Sequence, residues 1–146
     1  MPSLNFNTGL KTLDINGDPD RVISFPPSDV FFLSRLYASF ERIEEYYQGF
    51  QKELEEVQGT TGVLELGKEA DTTVKNILDE LFSDYTPGLS DIVFGKLAAV
   101  GVAEGTPLWA GFILGIISEC DEYAVKQEKT KNPKLQKLLA KYGKRK

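Results

Sequence analysis

Gly62-Val63-Leu64-Glu65-Leu66-Gly67-Lys68 satisfies the G-x-x-x-x-G-K spacing with which a glycine-rich loop cradles nucleotide phosphates. The next residue argues against that chemistry. A hydroxyl is needed there to hold magnesium, and Glu69 would set a carboxylate beside the phosphates; nor does a buried strand lead into Gly62. The segment reads better as a helix start that contains two glycines. Asp14, Asn16, Asp18 and Asp20 alternate like the first ligands of a calcium loop, but Pro19 stands where such a loop needs glycine and Phe25 where it needs a bidentate glutamate. A polar hairpin tip accounts for them. Glu41 with Glu45, and Glu119 with Glu122, have the spacing to share a helix face as an acid–base or two-metal pair, yet bundle di-metal sites also use histidine and the chain has none. Together with a single cysteine, that composition removes the Ser-His and Cys-His nucleophile systems and the usual zinc sets. Cys120, with Ile116, Ile117 and Tyr123 at helical spacing, reads as a small core residue in a reducing compartment.

Charge is distributed unevenly. Residues 1–125 carry 8 basic and 21 acidic side chains, whereas residues 126–146 carry 9 basic and 1 acidic, so an acidic body is joined to a basic tail. The tail's competing readings are a solvated end, docking on the chain's own acidic body, and binding of an acidic protein. Nucleic acid is disfavoured, because Tyr142 is the one aromatic among these lysines and the body would repel a phosphate backbone. The longest apolar run, Leu108 to Ile117, falls well below the ~20 residues of a membrane span, and the first residues lack the basic and apolar regions of a leader. A soluble, cytosolic protein is expected.

The elements that must position these residues are legible from hydrophobic period. Leu4–Asn7, Leu10–Ile15 and Arg21–Phe25 read as strands, the last two joined at Asn16-Gly17, a strong hairpin signal. Pro26-Pro27 stops the third strand, and Ser28-Asp29 supplies an N-cap and a first-turn acid. A helix then runs from about Asp29 to Val57 with an apolar seam of Leu33, Leu36, Phe40, Ile43, Tyr47, Phe50, Leu54 and Val57. Such a helix is roughly 45 Å long, and its seam requires a partner helix of this chain or of a second copy. Its second half is expected to project from the body.

After a break at Gln58–Gly62, a second helical stripe passes through Val63, Leu66, Ala70, Val74, Ile77, Leu78, Leu81 and Phe82. Gly67 suggests that this helix begins only near Lys68. A loop over Ser83–Ser90 precedes a short helix from Asp91 to about Val100. Thr106 and Pro107 then read as N-cap and first residue of a helix to about Gln127, whose apolar first half should form the centre of the body, with Gly111 and Gly115 as close-packing positions. Asn132-Pro133 breaks the chain before a last amphipathic stretch with Leu135, Leu138, Leu139 and Tyr142 on one face and Lys134, Lys137 and Lys141 on the other. The expected class is α+β: a single domain over residues 1–128, with a small antiparallel β-element at 1–27 and a helical bundle with a long hairpin at 28–128, followed by a basic helical tail at 129–146.

In their order and spacing, several segments resemble a family of small proteins encoded in the tail modules of siphophages and prophages of Gram-positive bacteria. They are Leu4-Asn5-Phe6-Asn7-Thr8-Gly9, Phe25-Pro26-Pro27-Ser28-Asp29, Ile77-Leu78-Asp79-Glu80-Leu81-Phe82, Gly105-Thr106-Pro107-Leu108-Trp109 and Lys131-Asn132-Pro133-Lys134-Leu135-Gln136-Lys137 with Lys141-Tyr142. Such proteins look like tail assembly chaperones. The resemblance implies a non-enzymatic protein of the bacterial host cytoplasm, without cofactor or metal, that keeps the helical tape measure protein or another tail protein soluble during tail growth. A phage-encoded inhibitor of a host defence protein, acting through its acidic body, is the rival reading. The expected partner-binding residues are Tyr47, Phe50, Leu54 and Val57 on the seam and Lys134, Leu135, Lys137, Leu138, Lys141 and Tyr142 in the tail, with a second copy of the chain as the other candidate partner.

Overall fold

The computed structural model of the protein describes residues 1–128, with side chains as far as Glu122. Its fold is α+β, an N-terminal antiparallel hairpin followed by a mostly helical region. Strands β1 (Lys11–Ile15) and β2 (Asp18–Phe25) pair in the register Lys11↔Phe25 and Leu13↔Ile23. Asn16 and Gly17 turn the chain with φ 55° and 80°. Two successive positive φ values suit the twist of a hairpin, and the Asp14 carboxylate accepts from Gly17 N at 3.1 Å to hold them. The alternation places Ile23 and Phe25 in the core and leaves Thr12 and Val22 outside. Residues 1–10 form no strand, against the expectation for Leu4–Asn7; Leu4 and Phe6 stand exposed, without a neighbour to pair with.

Helix α1 (Val30–Glu56) is capped by Asp29, not Ser28: the Asp29 carboxylate accepts from Phe32 N at 2.8 Å. Its buried face runs Phe32, Leu36, Phe40, Ile43, Tyr47 and Phe50, so the seam starts one residue earlier than the heptad suggests. The reason is aromatic: Phe32 lies 5.8 Å from Phe25, 5.5 Å from Phe82 and 5.7 Å from Tyr85, ring centre to ring centre. Helix α2 (Thr60–Leu81) returns along α1 and buries Ala70, Val74, Ile77, Leu78 and Leu81. It begins two turns before Lys68, because the reversal needs only Gly59, at φ 88°. Gly62 then admits the Val57 side chain, whose Cγ2 would lie 2.7 Å from an added Cβ.

The loop that follows α2 locks the β-hairpin down. Thr86 Oγ1 accepts from Ser24 N at 2.8 Å and donates to Ser24 O at 2.7 Å, bonding backbone of β2. Helix α3 is short, Leu89–Phe94 instead of Asp91–Val100, and is held at both ends by distant residues. Asp79 accepts from Ser90 N at 2.7 Å and Ser90 Oγ at 2.9 Å, while Arg21 donates to the carbonyls of Ile92, at 2.8 Å, and Val93. Thr106 and Pro107 do not start a helix. They form β4 (Thr106–Pro107) against β3 (Val102–Ala103), turned by Glu104 and Gly105 at φ 52° and 82°. Helix α4 (Leu108–Glu128) follows directly, and loop carbonyls satisfy its first donors: Leu108 N to Gly101 O at 2.8 Å and Trp109 N to Ala99 O at 3.0 Å. Trp109, Ala110, Ile113, Ile116, Ile117 and Cys120 form the centre of the core. Gly111 and Gly115 are exposed with open space around them, so they are not the close-packing positions that their spacing suggests.

Candidate functional site

The motifs with chemical spacing are absorbed by local structure. Gly62–Lys68 lies inside α2, where the backbone is helical and forms no loop to wrap phosphates. Asp14 and Asp18 serve the hairpin turn, accepting from Gly17 N at 3.1 Å and Asp20 N at 3.0 Å. Glu41 and Glu45 are exposed on the outer face of α1, and Glu119 is ion-paired to Lys11 at 2.8 Å. Among the described residues, no group of three or more His, Cys, Asp and Glu side chains could hold a metal ion, and no helix is long and apolar enough to cross a membrane. Cys120 is buried, and burial first, then the neighbouring Glu119 and Asp121 carboxylates, pushes its thiol up to about 12. At neutral pH that thiol is protonated and a poor nucleophile.

The seam does not project as expected. Tyr47 and Phe50 are 7% and 8% exposed, and Tyr47 packs 5.4 Å from Trp109 and 5.7 Å from Phe50 between ring centres. Both belong to the subunit's own core, and the reading of them as an open contact surface is corrected. The physical reason is α4: its first turn brings the largest side chain of the protein against the middle of α1, which the heptad pattern of α1 alone does not disclose. Burial also raises the Tyr47 hydroxyl above its ordinary range. Leu54 and Val57, one and two turns further on, remain half-buried.

What stays open lies just past Phe50. The end of α1, the start of α2 and the loop before β3 enclose an apolar trough of about 350 Å³, with Phe50 at its floor and Leu54, Val63, Leu64, Ala98 and Val100 around it. Val63 and Leu64 are 42% and 57% exposed. Asp71 ties the far wall in place: its carboxylate accepts from Ala99 N at 2.6 Å and pairs with Lys75 at 3.1 Å. Leu64 escaped the sequence reading because it falls off the Leu66–Ala70–Val74 stripe. An apolar residue beside a stripe is nonetheless a readable sign of a second apolar face. Ala98 and Val100 escaped because the stretch read as helix.

A second groove, about 610 Å³, runs between the inner face of the β-hairpin and α4, past Leu13, Ile15, Gly111, Phe112, Gly115 and Ile116. The exposed glycines of α4 form part of its wall, and Arg21, Glu104 and Glu119 give it a mixed polar character. Lys134, Leu135, Lys137, Leu138, Lys141 and Tyr142 lie outside the described residues. Comparison of the chain with family models, curated proteins and solved structures finds no match to any of them.

Proposed function

We propose that this protein is a non-enzymatic tail assembly chaperone that shields amphipathic helices of a phage tape measure protein while the tail is built. The observation that carries the reading is the trough at the end of the α1–α2 hairpin: nearly wholly apolar, open to solvent and walled by two helices, it is shaped for a helix laid into a groove. The segments resembling tail-module proteins support the biological setting. At ~25 cal/mol per Å² a trough of this size offers a guest helix only a few kcal/mol, which association costs offset in large part, so binding there is weak and reversible. Reversibility is what a chaperone requires, since its client must leave for the growing tube.

The test is co-expression with a siphophage tape measure protein. Leu64→Lys changes an exposed side chain and should cost no more than about 0.5 kcal/mol of fold stability. It should nevertheless return the client to the insoluble fraction, by removing apolar contact and placing a charge in the trough. A client equally soluble with Leu64→Lys, or insoluble with the unaltered protein, overturns the reading. Restored phage growth on a defended host, with the client still insoluble, favours the inhibitor.

A further inference from the structure

The β-hairpin has one covered edge and one open edge. Ser24 turns both its N–H and its C=O away from β1, to Thr86 Oγ1 at 2.8 Å and 2.7 Å, so Thr12↔Ser24 is a pair without ladder hydrogen bonds. The closeness of such a pair brings the Thr12 and Ser24 hydroxyls to 3.0 Å. The N–H and C=O of Thr12 therefore point out of the far edge of β1, as does the N–H of Asp14 two residues on. Among the described residues no backbone group meets them there. An edge of this kind is a template for one more strand.

The groove of about 610 Å³ between the hairpin and α4 offers room for the side chains of such a strand, since Gly111 and Gly115 leave open space along its wall. Three of its charged residues are already engaged: Arg21 with carbonyls of α3, Glu119 with Lys11 and Asp14 with Gly17 N. Glu104 is exposed at the β3–β4 turn. The groove is thus suited to an uncharged, apolar guest. Residues 1–10 have that character: they contain no charged side chain, and Leu4 and Phe6, 86% and 73% exposed, alternate with Asn5 and Asn7 as in a strand. The subunit holds this arm off its own groove, which no residue of 1–10 lines. Gly9, at φ 82° and with its N–H bonded to Asn7 Oδ1 at 2.8 Å, stands instead beside Ser28, just before α1.

We propose that residues 4–7 of one copy add to the open edge of β1 in a second copy as an antiparallel strand, and that two copies exchange these arms to form a dimer. The register that satisfies both backbone and side chains sets Asn7 opposite Thr12 and Asn5 opposite Asp14. These pairs take up the outward N–H and C=O groups of β1. Residues directly opposite share a face, so Phe6 and Leu4 then lie beside Leu13 and Ile15, toward the groove, while both asparagines face water. The register shift between Asp14 and Ile15 ends the ladder there and keeps the added strand short. Each arm already stands clear of its subunit, so nothing has to unfold for the exchange.

Sedimentation equilibrium of the full-length protein tests this, with one substitution on each side of the contact. Phe6→Asp alters only an exposed side chain of the arm, and Thr12→Pro removes an outward N–H of β1 while leaving the hydrogen bonds between β1 and β2 in place. The unaltered protein is expected to be a dimer, and each substitution to raise its dissociation constant about tenfold or more, with circular dichroism checking the fold. Hydrogen exchange on the unaltered protein gives a second reading that needs no variant. The Thr12 and Asp14 amides should exchange freely in dilute solution and become protected as concentration rises. A monomer at all concentrations overturns the proposal, and so does a dimer that either folded variant leaves unchanged. Amides protected equally at every concentration in a monomer would mean that the arm closes on its own edge, which also overturns it. Neither substitution touches the trough, so the chaperone reading stands or falls on its own experiment.

Discussion

Cys120 shows how burial acts on a single residue. The thiol is 4% exposed, and burial, with Glu119 and Asp121 adjacent, lifts its ionisation from 9.0 to about 12. In the unfolded chain the thiol loses its proton near its ordinary value while the folded chain still holds it, so the folded state binds more protons across that interval. Stability is therefore complete below about pH 9 and falls as pH rises toward 12, by up to a few kcal/mol, and Tyr47, raised in the same sense, adds to the loss above its own ordinary value of 10.0. Denaturant unfolding at about pH 8 and about pH 10 checks this: Cys120→Ala should be less stable at the lower pH, by about 1 kcal/mol for the small cavity, yet lose less on going to the higher. An equal alkaline loss in both proteins would place the titrating group elsewhere.

At the scale of elements, α3 is the piece that cannot stand alone. Six residues are too few for a helix to persist in water, and both of its ends rely on side chains far along the sequence, Asp79 at the start and Arg21 at the finish. Asp79→Ala removes two acceptors from Ser90 and should cost about 1–2 kcal/mol, measured as a lowered urea midpoint with an unchanged slope. The same dependence explains what the sequence could and could not tell. Asn16-Gly17 and the α1 seam were legible because a turn and an amphipathic helix are written in neighbouring residues. The bounds of α3 were not, because they are set by partners 11 and 71 residues away. Thr106-Pro107 carries a sound helix-start signal that yielded to pairing with Val102-Ala103, a contact that no helix-capping rule registers. The trough fell between the two cases: Leu54 was readable on the seam and Val63 on the second stripe, but Leu64, off that stripe, acquired meaning only once α2 began two turns early.

Across the whole molecule the acidic body and basic tail make one chain into two complementary parts, while among the described residues apolar surface includes the trough, the mixed groove beside the β-hairpin, and exposed Leu4, Phe6, Leu10, Val30, Phe31 and Val102. The core between them is centred on Trp109, the sole tryptophan, fully enclosed and 5.8 Å from Phe40 and 5.4 Å from Tyr47 between ring centres. That placement gives the protein a built-in optical gauge. Its indole emission should lie at the blue end of the tryptophan range and resist quenching by iodide, then shift red in one step as denaturant separates α4 from α1. Because the backbone of the same residue is bonded to Ala99, within the wall of the trough, a peptide helix entering there should perturb the emission without any label.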